Sequence, residues 1–447
     1  MKKSFIAFAG LTILLFSCSP SKRISNAAPT ALEILLADSA LAGTHTGVYV
    51  YNPATQKGLV SYQSDKYFVP ASNTKLFSCY AGMKYLGDSL TGILYSDSLG
   101  ELRIIGNGDP TFLHPDFENQ PVFEFIKNAK AKEILLCQIR PANNPYQEPF
   151  NALGKGWSWD DFNSNYMAER SFFPMYGNIA RFTLNQGKVE VSPSYFKNRL
   201  FNNGKITTSF DVERQRESND FFITEGSNKN VVEVPIKQGR DNMVVSIEDS
   251  LLVDTVKRNI QLVKTAYPSL SHLKRIHSQP TDSLFKPMMH RSDNFFAEQT
   301  LLMVSNEKLG YMSDRDIIDT LLKTNLKDLP QKPVWVDGSG LSRYNLFTPQ
   351  DFVKVLEKMK DEFGIERMKN ILPTGGTGTL GSLYKPITNQ IFAKTGTLSG
   401  QVALSGYLLT KNNTLLIFSI LVNNHTSTAS GVRKAVEKFV MDVWEKQ

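Results

Sequence analysis

One turn of helix separates Ser72 from Lys75 in the run Phe68-Val69-Pro70-Ala71-Ser72-Asn73-Thr74-Lys75-Leu76-Phe77. Pro70 cannot continue a strand and suits the residue just before a helix start. Leu76, Tyr80 and Met83 are then spaced to bury one helix face. Side chains three apart share a face, so the Ser72 hydroxyl and the Lys75 amine are predicted to meet. A serine hydroxyl is a poor nucleophile until a neighbour takes its proton, and a lysine kept neutral by burial and nearby cations can do so. The same spacing recurs at Ser194/Lys197, Ser305/Lys308 and Ser382/Lys385, where solvated surface pairs are expected. Ser72/Lys75 differs in having two partner motifs downstream: Ser292-Asp293-Asn294, then Lys394-Thr395-Gly396. A fold that uses all three must gather segments about 220 and about 100 residues apart.

Ser-x-x-Lys, Ser-Asp-Asn and Lys-Thr-Gly in this order resemble the signature set of serine penicillin-binding proteins and class A β-lactamases. The chemistry fits the residue types. Ser72 is the candidate nucleophile and Lys75 its base, which requires a pKa well below the ordinary ~10.4. Lys394 supplies a second positive charge expected to push Lys75 toward neutrality. Ser292 can relay a proton to a leaving amine, and Asn294 can hold a substrate amide. Lys394 with the Thr395 and Thr397 hydroxyls can grip a carboxylate. Gly396 lets an extended substrate lie against the strand, and the Ser72 and Thr397 N–H groups would form an oxyanion hole.

The N-terminus reads as an export signal. Lys2 and Lys3 precede an apolar run from Phe5 to Phe16, too short to span a bilayer. It ends in Leu15-Phe16-Ser17-Cys18, similar to a bacterial lipobox in which Cys18 is lipidated; the alternative is an unmodified signal cleaved nearby. Residues 19–29 form a polar tether, and no later stretch is apolar for long enough to cross a membrane. The net charge of +7 is modest for 447 residues and contains no long basic run, which speaks against a nucleic-acid surface. Cys79 and Cys137 are expected to be separate buried thiols.

Elements follow from periodicity. Thr30 caps a helix over Ala31–Leu36, and His45–Tyr51 with Gly58–Tyr62 reads as a hairpin. Strands are predicted at Leu102–Ile105, Glu133–Ile139, Arg181–Leu184, Lys188–Val191, Val231–Val234 and Met243–Glu248, and helices at Val122–Ala131 and Leu252–Tyr267. The Trp157/Trp159 pair is expected to fill a core corner, with a sugar-stacking platform as the alternative. Helices then cover Ser283–His290 and Phe295–Val304, and Thr348-Pro349 opens another. Strands at Ile391–Lys394, Gln401–Leu409 and Thr414–Val422 and a helix over Ser430–Trp444 close the chain. Late strands between helices imply a central antiparallel sheet covered on both faces.

Other chemistries lack their residues. There is no G-x-S-x-G elbow, and the six histidines form no compact metal spacing, so no cofactor or metal is expected. His290 reads as a helix-end histidine. Class A β-lactamases carry an E-x-x-L-N segment for deacylation, which is absent.

Further stretches resemble the class C low-molecular-mass penicillin-binding proteins, the D-alanyl-D-alanine carboxypeptidase/endopeptidases. They are Gly106-Asn107-Gly108-Asp109-Pro110-Thr111, Gly156-Trp157-Ser158-Trp159-Asp160-Asp161, Ser292 to Glu298, Asp337 to Arg343, Leu372 to Leu380 and Ala393 to Leu398. The resemblance implies an α/β (α+β) transpeptidase-like domain formed by residues 30–87 and 266–447, after a signal at 1–18. A β-rich insert of one or two small domains, residues 88–265, interrupts it; its strand texture suggests an independent module. It also implies hydrolysis of peptidoglycan stem peptides through a Ser72 acyl-enzyme, inhibition by β-lactams, and an envelope location with membrane contact only through the Cys18 lipid. Lys75 would accept the Ser72 proton, Ser292 would relay, and Asn294 and Lys394 would touch substrate. The alternatives are a β-lactamase or a non-catalytic wall-binding protein on the same fold.

Overall fold

The structure is a computed structural model that describes residues 29–98, 100–139, 150–239, 247–265 and 272–447. The signal, Cys18, the tether to residue 28 and the boundary at 266 lie outside the described residues. No helix among the described residues is long and apolar enough to cross a membrane.

A five-stranded antiparallel sheet forms the centre, in the order Ile391–Leu398, Gln401–Leu409, Leu415–Asn423, His45–Asn52, Lys57–Tyr62. Gln401–Leu409 and Leu415–Asn423 are nearly continuous apolar runs because both faces are covered. Ala403, Tyr407, Ile417 and Leu421 face the helices Lys75–Tyr85, Asn294–Leu309 and Pro349–Phe363. Val402, Leu404, Leu416, Phe418 and Ile420 face the closing helix Ala429–Lys446, through Val432, Val436, Phe439 and Val440. Alternation along each strand sends every second residue to each layer. Burying one such side chain contributes about 1.5–3 kcal/mol, so these layers hold the sheet between them. The first helix, Ala31–Ala37, carries the expected cap: the Glu33 N–H donates to the Thr30 hydroxyl, and the Glu33 carboxylate accepts from the Thr30 N–H.

Between the Ser72 and Ser292 segments lie three more sheets. A mixed one runs Ile260–Thr265, Glu133–Ile139, Glu101–Gly106, Ser89–Ser98, Lys274–Pro280. The other two are three-stranded, one of Val231–Pro235, Ile179–Asn185 and Lys188–Ser192, the other of Leu200–Ile206, Phe221–Glu225 and Asp211–Arg214. They share one apolar core, with Phe182, Phe196 and Phe221 at its centre.

Several expectations change here. Leu252–Tyr267 is not one helix: Ile247–Val256 is helical, and Ile260–Thr265 is a strand parallel to Glu133–Ile139. Arg258-Asn259 breaks the helical spacing, after which Ile260 and Leu262 alternate. Ile247 and Glu248, read as a strand end, open that helix, while residues 243–246 lie outside the described residues. The helix read over Val122–Ala131 is Pro121–Lys127. It stops early because the Arg258 guanidinium takes the carbonyls of Lys127, Ala129 and Ala131. Trp159 fills no core corner; its side chain is 64% exposed, with the Arg216 guanidinium 4.8 Å over its ring. Cys79 and Cys137 are both buried and form no disulfide.

Candidate active site

Pro70 leads into a 3₁₀ turn, Ala71–Thr74, which passes directly into the helix Lys75–Tyr85. Ala71 is fully buried at φ +49°, a backbone conformation that costs a non-glycine residue roughly 1–3 kcal/mol. The turn is clamped from two sides. A Cβ on Gly340, itself at φ +84°, would stand 1.9 Å from the Ala71 carbonyl oxygen. A Cβ on Gly396 would stand 2.7 Å from the Pro70 oxygen and 3.1 Å from the Ser72 nitrogen. Only glycine lets the 337–342 loop and the Lys394 strand approach this closely. With its amide oriented to satisfy both partners, Asn73 donates to the Lys394 carbonyl at 2.6 Å and accepts from the Leu404 N–H at 3.2 Å.

Lys75 has no exposed surface, and its Nζ meets three oxygens: Ser72 Oγ at 2.9 Å, Asn294 Oδ1 at 2.6 Å and the Ser339 carbonyl at 2.8 Å. A neutral amine has two N–H donors and one lone pair. The Asn294 and Ser339 oxygens only accept, so they take both donors and the lone pair faces the Ser72 hydroxyl. The Asn294 amide cannot be reversed without loss, because its Nδ2 donates to the Tyr166 carbonyl at 3.1 Å.

Burial lowers the Lys75 pKa to about 8, against the carboxylates of Asp337, Asp293 and Glu298, which raise it. Of the two causes expected from the sequence, burial and a nearby cation, burial leads. Lys394 is equally buried and its pKa is lowered well below the ordinary value, by burial first and then by the charge of Lys75. Its Nζ donates to Ser292 Oγ at 2.8 Å and to the Thr395 carbonyl at 2.7 Å. Ser292 sits at φ +62°, one residue before Asp293, whose carboxylate caps the helix Asn294–Leu309 by accepting from the Phe296 N–H at 3.0 Å.

Ser72, Lys75 and Asn294 are therefore joined by direct hydrogen bonds, as are Ser292 and Lys394. Thr395 is buried beside Lys394, and Thr397 is exposed at the end of the strand. Cys18 lies outside the described residues. Sequence reasoning missed three groups. Glu298 and Arg170 are buried and pair at 3.2 Å behind Ser339. Arg433, on the closing helix, donates from Nη2 to Thr397 Oγ1 at 2.6 Å. Glu298 carried a sequence signal as the last residue of the Ser292–Glu298 motif; Arg170 and Arg433 carried none. The insert also takes part: Trp157 Nε1 donates to Asp337 Oδ2 at 2.8 Å, beside the Tyr166 and Arg170 contacts. Among the described residues no cluster of three or more His, Cys, Asp or Glu could hold a metal.

The chain resembles proteins of known structure and activity. The crystal structure of penicillin binding protein 4 (dacB) from Haemophilus influenzae superposes with a TM-score of 0.70 at 19% identity, covering 93% of this chain and 99% of that one. The fold is thus shared. The D-alanyl-D-alanine carboxypeptidase DacB of Haemophilus influenzae is 21% identical over 421 residues, 86% of each chain. The D-alanyl-D-alanine carboxypeptidase of Actinomadura sp. (strain R39) is 24% identical over 451 residues, 89% of this chain and 81% of that one. Residues 28–447 match a family model, and on that match the chain belongs to the D-Ala-D-Ala carboxypeptidase 3 (S13) family.

Proposed function

We propose that this serine-type D-Ala-D-Ala carboxypeptidase acts through Ser72 as nucleophile and Lys75 as the base, on peptidoglycan stem peptides and their D-alanyl cross-links. The observation that carries the assignment is the triple contact of Lys75 Nζ, which in the neutral amine gives both N–H groups to Asn294 and Ser339 and turns the lone pair to Ser72. Ser72 Oγ attacks the penultimate D-Ala carbonyl as its proton passes to Lys75, and the oxyanion lies toward the Ser72 and Thr397 N–H groups. Ser292, bonded to Lys394, passes its proton to the departing amine and takes in its place the one Lys75 received; Lys75, neutral again, accepts a proton from the water that releases the acyl group. β-Lactams would acylate the same serine. The segments 30–87 and 266–447 form the catalytic domain in this reading and 88–265 the insert, with Lys274–Pro280 of the second segment pairing onto the insert's mixed sheet. No observation favours a β-lactamase or a non-catalytic scaffold.

Lys394, Thr395 and Thr397 are the proposed contacts for the substrate carboxylate, with Arg433 as the partly exposed cation beside them. Among the described residues Arg433 pairs with no carboxylate. Its N–H enters Thr397 Oγ1, so the hydroxyl proton is free to donate outward. The enzyme should release D-Ala from peptides ending in D-Ala-D-Ala, and Lys394→Ala or Arg433→Ala should slow this by roughly 10-fold or more, on the scale of one lost charge-assisted hydrogen bond. Reaction with an ester lacking the free carboxylate should fall less. Equal losses on both substrates would remove the carboxylate assignment.

The Lys2/Lys3 and Phe5–Phe16 leader with Cys18 supports an exported chain held in the cell envelope by a lipid. Cys18→Ala should move the protein from the membrane pellet to the soluble envelope fraction. Continued sedimentation with membranes would rule the anchor out.

A further inference from the structure

We infer that Glu298, held by Arg170 of the inserted region, is a positioning residue that helps aim the Lys75 lone pair at Ser72 by holding the Gly338–Ser339 peptide, which adjoins the peptide whose carbonyl Lys75 reaches. The inference rests on Lys75 as the base. A neutral lysine amine rotates freely about its last bond unless both its N–H groups are spoken for. Here one is taken by Asn294 and the other by the Ser339 carbonyl. What fixes the Ser339 carbonyl therefore fixes the direction of the lone pair.

Glu298 holds the Ser339 residue from its other side. The Ser339 N–H donates to Glu298 Oε1 at 2.7 Å. Glu298 Oε2 accepts from Arg170 Nη1 at 3.2 Å, and the same nitrogen reaches Asp314 Oδ2 at 2.6 Å. Arg170 Nε donates to the Asn151 carbonyl at 3.0 Å, anchoring the guanidinium in the insert. The flanking residues are held too: the Gly338 carbonyl accepts from Ser78 Oγ at 2.7 Å, and the Gly340 N–H donates to Asp337 Oδ1 at 2.9 Å. Glu298 and Arg170 are both buried and touch no reacting atom. Burying a carboxylate and a guanidinium costs several kcal/mol in desolvation, which their mutual attraction only partly offsets. A pair retained on those terms, aimed at the one residue whose carbonyl faces Lys75, serves geometry.

Glu298 also faces Lys75 as a charge. The groups acting on Lys75 are Asp337, Asp293 and Glu298, which raise its pKa, and the neighbouring Lys394. Burial and Asp337 push Glu298 up to about 7, while Arg170 and the Ser339 hydrogen bond act against them and Asp314 adds to the rise. Near pH 8 it is therefore mostly ionised. Removing its charge lowers the Lys75 pKa, so the acid side of the acylation profile moves to lower pH. A residue that merely stabilised the fold would not move that profile.

The experiment is acylation of the full chain by a chromogenic cephalosporin across pH 5 to 10, beside a melting curve. Glu298→Gln keeps the shape and, with its amide oxygen toward Ser339, an acceptor for the Ser339 N–H. It should acylate with its acid limb shifted down by roughly 0.5–1 pH unit. Glu298→Ala frees the Ser339 N–H, loosens the turn that carries the Ser339 carbonyl, and should slow acylation about 100-fold at every pH, the scale of a reacting group misplaced by about 1 Å. A Glu298→Ala variant that acylates at the wild-type rate, or a Glu298→Gln variant no faster than Glu298→Ala, would overturn the inference. A wild-type chain that fails to acylate at Ser72 would instead sink the reading of Lys75 as base.

Discussion

Lys75→Arg should leave the protein folded and acylate Ser72 at least about 1000-fold more slowly than wild type, within the range of general-base catalysis. Arginine keeps the charge but cannot lose its proton at any usable pH. It offers donors to Asn294 and Ser339 and no lone pair to Ser72. In the wild type, burial brings the Lys75 pKa down to about 8, and the proposed base role requires the form without the proton. Acylation should rise with pH to a half-maximum near 8 and fall about tenfold for each pH unit below it. The arginine variant should be low and flat from pH 5 to 10, like Lys75→Ala. Since the Lys75 slot has no exposed surface, extra volume there can strain the core, and a melting curve of each variant separates lost chemistry from lost fold. An arginine variant that acylates near the wild-type rate would take the base role from Lys75.

Gly340→Ala should both destabilise the protein and silence the site. Its backbone is at φ +84°, where alanine costs about 1–2 kcal/mol. The added Cβ would stand 1.9 Å from the Ala71 carbonyl oxygen and 2.9 Å from Thr74 Oγ1. Ala71 is already in a strained conformation and immediately precedes Ser72, so any retreat carries Ser72 with it. A total loss of roughly 3 kcal/mol or more is expected, a melting temperature lower by about 3 °C or more for a chain of this length, with acylation of the folded fraction down about 100-fold. Wild-type melting and acylation would show that this turn does not depend on its contact with the 337–342 loop.

How much of the molecule is legible in the chain depends on where the information sits. Ser72, Lys75, Ser292, Asn294 and Lys394 are residue types fixed by reaction chemistry at fixed local spacings, so their meeting could be foreseen. Gln401–Leu409 and Leu415–Asn423 were legible because sheet strands covered on both faces must be apolar throughout. Leu200–Ile206 was missed because most of its side chains are exposed, leaving no alternation to detect. Arg170 and Arg433 were invisible for another reason: each acts on a partner 128 or 36 positions away, which only the fold brings within reach. The insert looked separable because its strands form their own sheets. Tyr166, Trp157 and Arg170 nevertheless contact Asn294, Asp337 and Glu298, all close to Lys75. Local texture reports where strands are, and not which surface a sheet leans on.

The central claim is that Ser72 is the nucleophile. The direct measurement is to treat the full chain with labelled penicillin, digest it, and find the modified peptide by mass. One adduct is expected, on the peptide containing Ser72, and it should vanish in Ser72→Ala. Label on another serine, or persistent label in Ser72→Ala, would contradict the assignment.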